Sequence, residues 1–245
     1  MCNGRLAVVG MGPGGLEAMT REVYKLLKDA DVCIGYHKYI ALLPEDLRGL
    51  ETYDTGMKKE IERCELALEL ASKGKRVVLV SSGDPGMYAM AGLCFELAKA
   101  KNLEDLVQIF PGVSAAQAAA AKLGAPLMHD TAYISLSDLL TPWETIEKRV
   151  KLAAEADFVI ALYNPRSKGR SEHLKNVIEL IKPYKEGNTP IGLVKNAYRE
   201  NEEIKIETID TIQYDWVDMF TVVIIGNKET YEWKGKMITP RGYRV

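Results

Sequence analysis

The stretch VVLVSSGDPGMY, residues 77–88, is the part of the sequence that most constrains the fold. It begins with four apolar residues, Val77 to Val80, and then changes abruptly to serine, glycine, aspartate and proline. This pattern is typical of a buried strand in a parallel sheet that ends in a turn with accessible backbone. Open α/β sheets bind small ligands at this carboxyl edge. The sequence therefore predicts that residues 81–86 form the floor of a ligand site.

Asp84 is the one acidic residue of this turn, and two roles fit it. Its carboxylate can accept hydrogen bonds from a ligand, or it can shape the turn, because Asp-Pro is also common turn chemistry. Pro85 stiffens the turn and removes a donor. Gly86 allows a ligand to approach the main chain closely.

The composition predicts a cytoplasmic globular protein of one large or two smaller domains. The chain has 245 residues, of which 47% are hydrophobic and 27% charged, and a net charge of -2. No run of lysine and arginine indicates nucleic acid or an anionic membrane as a partner. The four cysteines (Cys2, Cys33, Cys64, Cys94) lack the spacing of a zinc site or disulfide framework, which favours reduced thiols. There is no signal-peptide pattern and no apolar run long enough to span a membrane.

A glycine-rich motif near the start, GMGPGG at residues 10–15, offers a competing ligand site. It satisfies GxGxxG between a strand and a predicted helix at residues 17–28, which suggests a dinucleotide-dependent oxidoreductase. Two features argue against this alternative. Pro13 removes an N–H from the loop that would hold a pyrophosphate. The next strand ends in Gly35-Tyr36, where an acid should bind the ribose.

The first half of the chain alternates strands and helices, which predicts a mostly parallel sheet covered on both faces. Residues 36–54 are expected to be irregular, and Ser114 stands at an N-cap position. The breaker cluster Gly124-Ala125-Pro126 predicts a boundary between domains 1–125 and 126–245. The expected strands are 6–9, 31–34, 77–80 and 107–110, and the expected helices are 17–28, 59–72, 89–101 and 115–123.

The second half predicts another α/β domain. Residues 204–209 alternate in polarity, which indicates a half-exposed antiparallel strand. The other expected strands are 133–137, 158–163, 191–194 and 220–225, and the helices are 143–155 and one around residues 174–181. Interfaces between domains are favoured places for small ligands.

The candidate catalytic residues are few. No GxSxG motif or helical pair of metal-ligating histidines is present. His173 is expected on the polar, solvated face of its helix, whereas His129 follows the domain break and is a candidate site residue. Thr141 is expected to cap the next helix with Glu144 in a capping box.

Four arginines follow strand-terminal turns or lie in the last segment, and arginine suits bidentate carboxylate binding. They are either solvated or form an anion-binding group: Arg166, Arg170, Arg199 and Arg241.

Several motifs together are similar to those of a known superfamily. VVGMGPGG, SSGDPGMY, PGVSAAQAAAAKLG, ALYNPRS and VIIGN resemble the tetrapyrrole methylases. GYHKYI, GAPLMHD, ISLSDLLTPWE and MITPRGY resemble its precorrin-3B C17-methyltransferase (cobalt-factor III methyltransferase) branch. The resemblance implies two α/β domains, each an open mixed sheet flanked by helices, with ligands in the interdomain cleft.

The resemblance also implies an activity. The chain would use S-adenosylmethionine to methylate C17 of a tetrapyrrole, coupled to ring contraction, in cobalamin biosynthesis. A sibling methylase that acts at another carbon is the main alternative. The resemblance implies a homodimer and implies no metal bound by the protein itself. Whether the substrate carries cobalt stays open.

The resemblance places the following residues in the site. The first domain would hold the tetrapyrrole trough and part of the cofactor site, and the second domain the rest. The cofactor-binding residues would be Pro13, Ser82, Gly83, Asp84, Met87, Ser114, Ala115, Tyr163, Asn164, Asn196 and Ala197. The substrate-binding residues would be Gly10, Gly12, Gly14, Tyr36, Lys38, Lys58, Arg166 and Arg241. Ring contraction needs an acid/base, for which His129 is the first candidate and Asp130, Ser114 and Tyr36 are alternatives.

Overall fold

The computed structural model describes residues 4–47, 49–167 and 169–244, so Cys2 lies outside the described residues. The chain divides into two compact units, Met1–Ala115 and Ala116–Val245. The division falls ten residues before the expected boundary at Ala125. The reason is that Gly124–Ala125 is a short strand that pairs with the strand Lys236–Ile238, so this breaker cluster is part of the second unit.

The first unit contains one parallel sheet of five strands. The strands are β1 (Arg5–Gly10), β2 (Val32–Tyr36), β3 (Thr52–Thr55), β4 (Arg76–Ser81) and β5 (Val107–Phe110), and the helices are α1 (Arg21–Lys28), α2 (His37–Ile40), α3 (Glu60–Ser72) and α4 (Ala91–Lys101). The sheet order is β3-β2-β4-β1-β5, and each neighbouring pair is parallel. The sheet is thus parallel throughout, whereas the resemblance implied a mixed one.

Both faces of this sheet are buried, as the unbroken apolar runs predicted. Leu6 and Val8 of β1 pack in one apolar cluster with residues of α3 and α4. Ala7 and Val9 point to the opposite face, where they pack in a cluster that includes residues of α1. Since all five strands run in the same direction, their carboxyl ends lie along one edge of the sheet.

Two predictions for the first unit were wrong. The segment 36–54 is not irregular, because it contains α2 and β3. Strand β3 was missed because its side chains are mostly exposed and carry no apolar pattern. Helix α1 begins at Arg21, not near Glu17, because the Thr20 hydroxyl accepts a hydrogen bond from the Val23 N–H (3.2 Å) and caps the helix there.

The second unit combines a mixed sheet with a small one. Helix α5 (Ala115–Leu123) crosses the division between the units. The strands are β6 (Gly124–Ala125), β7 (Thr131–Ser135), β8 (Val159–Tyr163), β9 (Pro190–Lys195), β10 (Glu203–Thr208), β11 (Thr221–Ile225), β12 (Tyr231–Trp233) and β13 (Lys236–Ile238), and the other helices are α6 (Trp143–Glu155) and α7 (His173–Ile181).

The larger sheet has the order β10-β9-β11-β8-β7. Strand β10 pairs antiparallel with β9, which confirms the prediction from its alternating pattern. Strands β7 and β8 are parallel, so their carboxyl ends are adjacent. A core cluster packs α6 and α7 on one face of this sheet. The smaller sheet, β12-β13-β6, was not predicted, because its strands are two or three residues long.

The start of α6 differs from the predicted capping box. Pro142, not Thr141, occupies the N-cap, and no side-chain cap bond is present there. The helix begins with main-chain hydrogen bonds to the Pro142 carbonyl from the N–H groups of Thr145 (3.0 Å) and Ile146 (3.3 Å). In the part of the chain that the structure describes, no helix is long and apolar enough to cross a membrane.

Candidate functional site

Four glycines bring three loops together at the carboxyl edge of the first sheet. Gly12 and Gly83 exchange two main-chain hydrogen bonds, of 3.1 and 2.7 Å. A Cβ atom on Gly10 would lie 2.3 Å from the Gly83 carbonyl oxygen, and one on Gly112 would lie 2.3 Å from the same oxygen. Glycine is therefore required at both positions, because any side chain would clash with the backbone of the turn. The loops after β1, β4 and β5 form one main-chain surface.

The Asp84 carboxylate links two of these loops by hydrogen bonds. Its Oδ1 accepts a hydrogen bond from the Gly86 N–H (2.8 Å), and its Oδ2 accepts one from the Gly112 N–H (3.1 Å). Of the two roles open to Asp84, the structure shows the turn-shaping one. The carboxylate joins the turn after β4 to the loop after β5, and so it sets the shape that a ligand would meet.

The glycine motif lacks the geometry of a dinucleotide site. The N–H of Gly12 is already bonded to Gly83, and α1 begins at Arg21, six residues after Gly15. A pyrophosphate site needs free amides at the start of a helix. The loop is instead closed against the Asp84 turn, which argues against the oxidoreductase alternative.

The remaining predicted residues of the first unit lie along the same edge. Pro13 and Gly14 are buried, Ser82 and Met87 are half-buried, and Ser114 is 5% exposed just before Ala115 begins α5. The structure thus places the predicted cofactor residues of this unit on the loops after β1, β4 and β5.

The predicted substrate residues of the first unit follow β2 and β3. Tyr36 ends β2, and its ring packs against His37 (ring centres 4.3 Å apart) and Tyr39 (5.3 Å). Lys38 is exposed on α2, and Lys58 is exposed after β3 with a φ of 62°. Both lysines are therefore placed at the carboxyl edge, with Lys58 in a left-handed conformation that non-glycine residues seldom adopt.

In the second unit, Tyr163 and Asn164 stand at the carboxyl end of β8. The Tyr163 hydroxyl accepts a hydrogen bond from the Ala116 N–H (3.1 Å), at the start of α5. Asn164 has a φ of 52°, and its amide donates a hydrogen bond to Ser135 Oγ (3.0 Å) at the end of β7. Asparagine is one of the residues that tolerate this left-handed conformation.

Asn196 and Ala197 occupy the equivalent position after β9. Asn196 also has a positive φ of 52°, and its side-chain amide donates a hydrogen bond to the Asn201 carbonyl (3.3 Å). Both asparagines are thus held at strand ends with fixed side chains.

His129 and Asp130 lie just before β7 and are exposed. Their side chains are 42% and 75% accessible. The Nδ1 atom of His129 accepts a hydrogen bond from the Asp130 N–H (2.9 Å). The neutral imidazole therefore carries its proton on Nε2, the atom available for proton transfer.

Two of the four arginines are bonded to other residues of the second unit. Arg166 donates hydrogen bonds to the Tyr214 carbonyl (2.9 Å) and to Asp215 (2.8 Å), and so it is already paired. Arg170 contacts Ser137 and Asp138. Arg199 lies beyond Asn196, and Arg241 is exposed in the last segment. The first two arginines therefore serve the second unit itself.

Sequence reasoning missed a polar cluster around Asp138. His173 Nε2 lies 3.1 Å from Asp138 Oδ2, and Arg170 Nη1 lies 3.7 Å from Asp138 Oδ1. The Trp143 ring packs against the imidazole at a tilt of 57°, with ring centres 4.3 Å apart. His173 lowers the pKa of the Asp138 carboxyl, and Arg170 adds to this effect. The prediction of a solvated His173 was wrong, because its side chain is only 17% exposed.

This cluster connects to the predicted cofactor residue Asn164. Arg170 donates a hydrogen bond to Ser137 Oγ (3.1 Å), the Ser137 N–H donates to Ser135 Oγ (3.2 Å), and Ser135 also accepts from Asn164. The motif ISLSD contained the signal, since alternate residues of one strand end point the same way. Within the described ranges, no group of three or more metal-ligating side chains is gathered.

Comparison with known proteins assigns the chain to a family. The chain matches the family model of Tetrapyrrole (Corrin/Porphyrin) Methylases over residues 5–213. It therefore belongs to this family, which confirms the predicted S-adenosylmethionine-dependent methyltransferase class.

The names of individual relatives indicate one branch of this family. The chain is 50% identical over 240 residues to a protein of Salmonella typhimurium named probable cobalt-factor III C(17)-methyltransferase, with 98% of this chain and 100% of the relative covered. It is 40% identical over 253 residues to the precorrin-3B C(17)-methyltransferase of a Sinorhizobium species, with 98% and 97% covered. The crystal structure of the methyltransferase CobJ superimposes with a TM-score of 0.90 at 39% identity, over 97% of this chain and 100% of that one. These matches confirm the predicted fold.

Proposed function

We propose that this protein transfers a methyl group from S-adenosylmethionine to C17 of a precorrin-3B or cobalt-factor III type tetrapyrrole, coupled to ring contraction, in cobalamin biosynthesis. One observation carries the proposal: the 50% identity to the Salmonella C17-methyltransferase extends over the whole of that relative. The similarity to the precorrin-3B enzyme supports the same carbon.

The residues present suit S-adenosylmethionine, which supplies an electrophilic methyl group. The glycines at Gly83 and Gly86 let a ligand approach the main chain of the turn closely, and Asn164 and Asn196 offer fixed amides. Such neutral hydrogen-bonding groups fit an amino acid and an adenine ring. We therefore propose that the first-unit residues (Pro13, Ser82, Gly83, Met87, Ser114, Ala115) and the second-unit residues (Tyr163, Asn164, Asn196, Ala197) bind the cofactor, with Asp84 acting through the turn.

The chemistry of methyl transfer asks mainly for alignment. An electron-rich carbon of the macrocycle attacks the methyl group directly, so that no protein nucleophile is needed. Correct orientation of two reactants contributes about 7–11 kcal/mol to such a reaction. The proposed substrate contacts are Gly10, Gly12, Gly14, Tyr36, Lys38, Lys58 and Arg241. Arg166 is a weaker candidate than the sequence suggested, because its guanidinium already binds the Tyr214 carbonyl and Asp215.

Ring contraction requires a proton to move at an oxygen on C20, and His129 is the proposed acid/base. Its Nε2 is the proton-bearing atom of the neutral ring, because Nδ1 accepts the Asp130 N–H. His129→Ala should then leave methyl transfer measurable and block contraction. Contracted product at the wild-type rate would remove His129 from the mechanism, and the same assay on His173→Ala would test the less exposed histidine of the second unit.

The deciding experiment is incubation with S-adenosylmethionine and a trimethylated tetrapyrrole, with and without cobalt. Mass spectrometry should show the gain of one methyl group, and NMR should place it on C17 and detect a pendant acetyl group. A methyl group on another carbon would instead identify a sibling methylase. Saturable NAD(P) binding without methyl transfer would revive the oxidoreductase alternative. Sedimentation of the same sample would test the homodimer that we also propose.

A further inference from the structure

A buried arginine in the first unit has no role in the site described so far. Arg63, in the first turn of α3, is only 3% exposed. Its Nε donates a hydrogen bond to Thr55 Oγ1 (2.7 Å), and its Nη2 donates to the Gly56 carbonyl (2.9 Å). Its Nη1 contacts the Met90 sulfur (3.3 Å).

These partners leave the positive charge of Arg63 uncompensated. Within residues 4–47, 49–167 and 169–244, no carboxylate lies at ion-pair distance from Arg63. Buried charges are usually paired, because removing an ion from water is costly. A thioether is a weak acceptor, and three bonds leave two of the five guanidinium N–H groups without a partner in the described chain. The Arg63 guanidinium therefore keeps a charge and two N–H donors that the described side chains do not use.

The position of Arg63 in the fold indicates which anion its guanidinium would bind. Thr55 ends β3, Gly56 follows it, and Met90 belongs to the turn that follows β4 and precedes α4. The guanidinium thus lies at the same carboxyl edge as Gly83 and Asp84. Lys58 is exposed on the same loop as Gly56 and adds positive charge.

We propose that Arg63 binds a peripheral carboxylate of the tetrapyrrole substrate, and that the Met90 sulfur occupies the place on Nη1 that a carboxylate oxygen takes in the complex. This inference rests on the proposed function, since it assigns a residue to the same substrate. A carboxylate is the chemical group that a planar guanidinium recognises best, through paired N–H donors.

A purely structural role for Arg63 makes a different prediction. If Arg63 only links the loop at Gly56 to the turn at Met90, its loss would lower the affinities for the cofactor and for the substrate alike. As a carboxylate ligand, it would affect the substrate alone. The affinities for the two ligands must therefore be measured separately.

The test uses the full chain with the substitution Arg63→Met, which keeps an unbranched apolar stem and removes the guanidinium group with its charge. The KM for the trimethylated tetrapyrrole should rise about tenfold to a hundredfold, the usual effect of losing a hydrogen bond to a charged group. The Kd for S-adenosylmethionine, measured by calorimetry, should change less than about twofold. Arg63→Lys should recover part of the lost affinity, because it restores the charge.

Two further variants make the result specific. Arg76→Met removes an arginine of the same unit that is paired with Asp31 at the surface, and it should leave the KM unchanged. Met90→Leu keeps the volume but removes the sulfur, and it should retain the wild-type KM because the sulfur is displaced on binding. If Arg63→Met fails to fold, Arg63→Lys and Met90→Leu still test the proposal.

Three outcomes would overturn the inference. They are an unchanged tetrapyrrole KM in a folded Arg63→Met protein, equal losses for both ligands, and a Met90→Leu variant as impaired as Arg63→Met. If the wild-type protein methylates no tetrapyrrole at all, the proposed function fails instead. The wild-type control therefore separates the two failures.

Discussion

Asp84 shows how one side chain determines the shape of a ligand surface without pointing at the ligand. Its two carboxylate oxygens accept the N–H groups of Gly86 and Gly112, on loops that follow different strands. An Asp-Pro turn predicted only the local half of this arrangement. The bond to Gly112 spans 28 residues and depends on the order of strands in the sheet.

Asp84→Ala should weaken cofactor binding and destabilise the protein together, because it leaves two main-chain donors without their acceptor. The expected loss in unfolding free energy is about 1–3 kcal/mol. Asp84→Asn should lose less, because its single carbonyl oxygen can still accept one bond. Urea unfolding and calorimetry with S-adenosylmethionine measure the two effects. Glu96→Ala, at an exposed position of α4, is the control.

A loss of cofactor affinity by Asp84→Ala at full stability would contradict this interpretation. It would mean that the carboxylate contacts the ligand directly, which was the other role that the sequence allowed.

At the scale of elements, the strand ends β1, β4 and β5 depend on glycines that touch one another. A Cβ atom on Gly112 would lie 2.3 Å from the Gly83 carbonyl oxygen and 2.5 Å from that of Gly10. Contacts this short involve backbone atoms, which cannot rotate away as the end of a side chain can. The separation of these three loops is therefore fixed by the absence of side chains.

Gly112→Ala should cost at least about 2 kcal/mol of unfolding free energy, in the range of strongly destabilising steric changes. Gly92→Ala is the matched control, because a Cβ there meets nothing within 4 Å. Gly92 lies inside α4, where alanine is preferred to glycine by about 0.5–1 kcal/mol. Thermal unfolding should thus move in opposite directions for the two variants. A Gly112→Ala protein as stable as wild type would mean that the loops can separate.

An ion pair joins Asp31, which lies just before β2, to Arg76, the first residue of β4. This pair predicts that the stability of the protein depends on pH. Arg76 Nη2 donates to Asp31 Oδ1 (2.6 Å), Arg76 Nε donates to Asp31 Oδ2 (3.3 Å), and the Arg76 main-chain N–H also donates to Oδ2 (2.7 Å). These hydrogen bonds from Arg76 lower the pKa of Asp31 to about 2. Because the pKa in the folded protein is below the unfolded value, the pair stabilises the protein above pH ~4, and this stabilisation is lost as pH falls towards 2.

Asp31→Asn should therefore lower stability at neutral pH by about 0.2–1 kcal/mol, since the pair is exposed and screened. The difference from wild type should disappear in acid. Urea unfolding at a series of pH values checks this, and a difference that stays constant with pH would contradict the assigned cause.

Helices and strands with strong apolar patterns were predicted well from the sequence. Strands and clusters that form only through contacts with distant parts of the chain were not. Helices α5 and α6 begin and end where the patterns placed them, because their buried faces are long. Strands β3 and β12 were missed, since their exposed residues give no alternation. The cluster of His173 with Asp138 was missed for a related reason, because 35 residues separate the two in the chain. The contact of Arg63 with Met90 likewise needs the fold to bring α3 beside α4.

At the scale of the whole molecule, each unit has its own hydrophobic core. Three buried cysteines lie in the core of the first unit, so their reactivity can be used to detect its opening. Cys33, Cys64 and Cys94 are 0% exposed, and burial raises the pKa of the Cys33 thiol to about 12. The sulfur atoms of Cys64 and Cys94 lie 3.3 Å apart between α3 and α4. A thiol reagent should thus reach these residues only when the first unit opens.

A ligand that binds the folded protein should slow this labelling by mass action. In a Cys2→Ser variant, S-adenosylmethionine at a hundred times its Kd should slow modification of Cys33 about a hundredfold, if opening is reversible before labelling. Mass spectrometry of peptides, with iodoacetamide as reagent, identifies the residue modified. NAD should give no protection, which makes it the matched control for the oxidoreductase alternative. Labelling of Cys33 at the rate of a free thiol, with or without the cofactor, would show that the first core does not exclude reagent and that cofactor binding is not coupled to its stability.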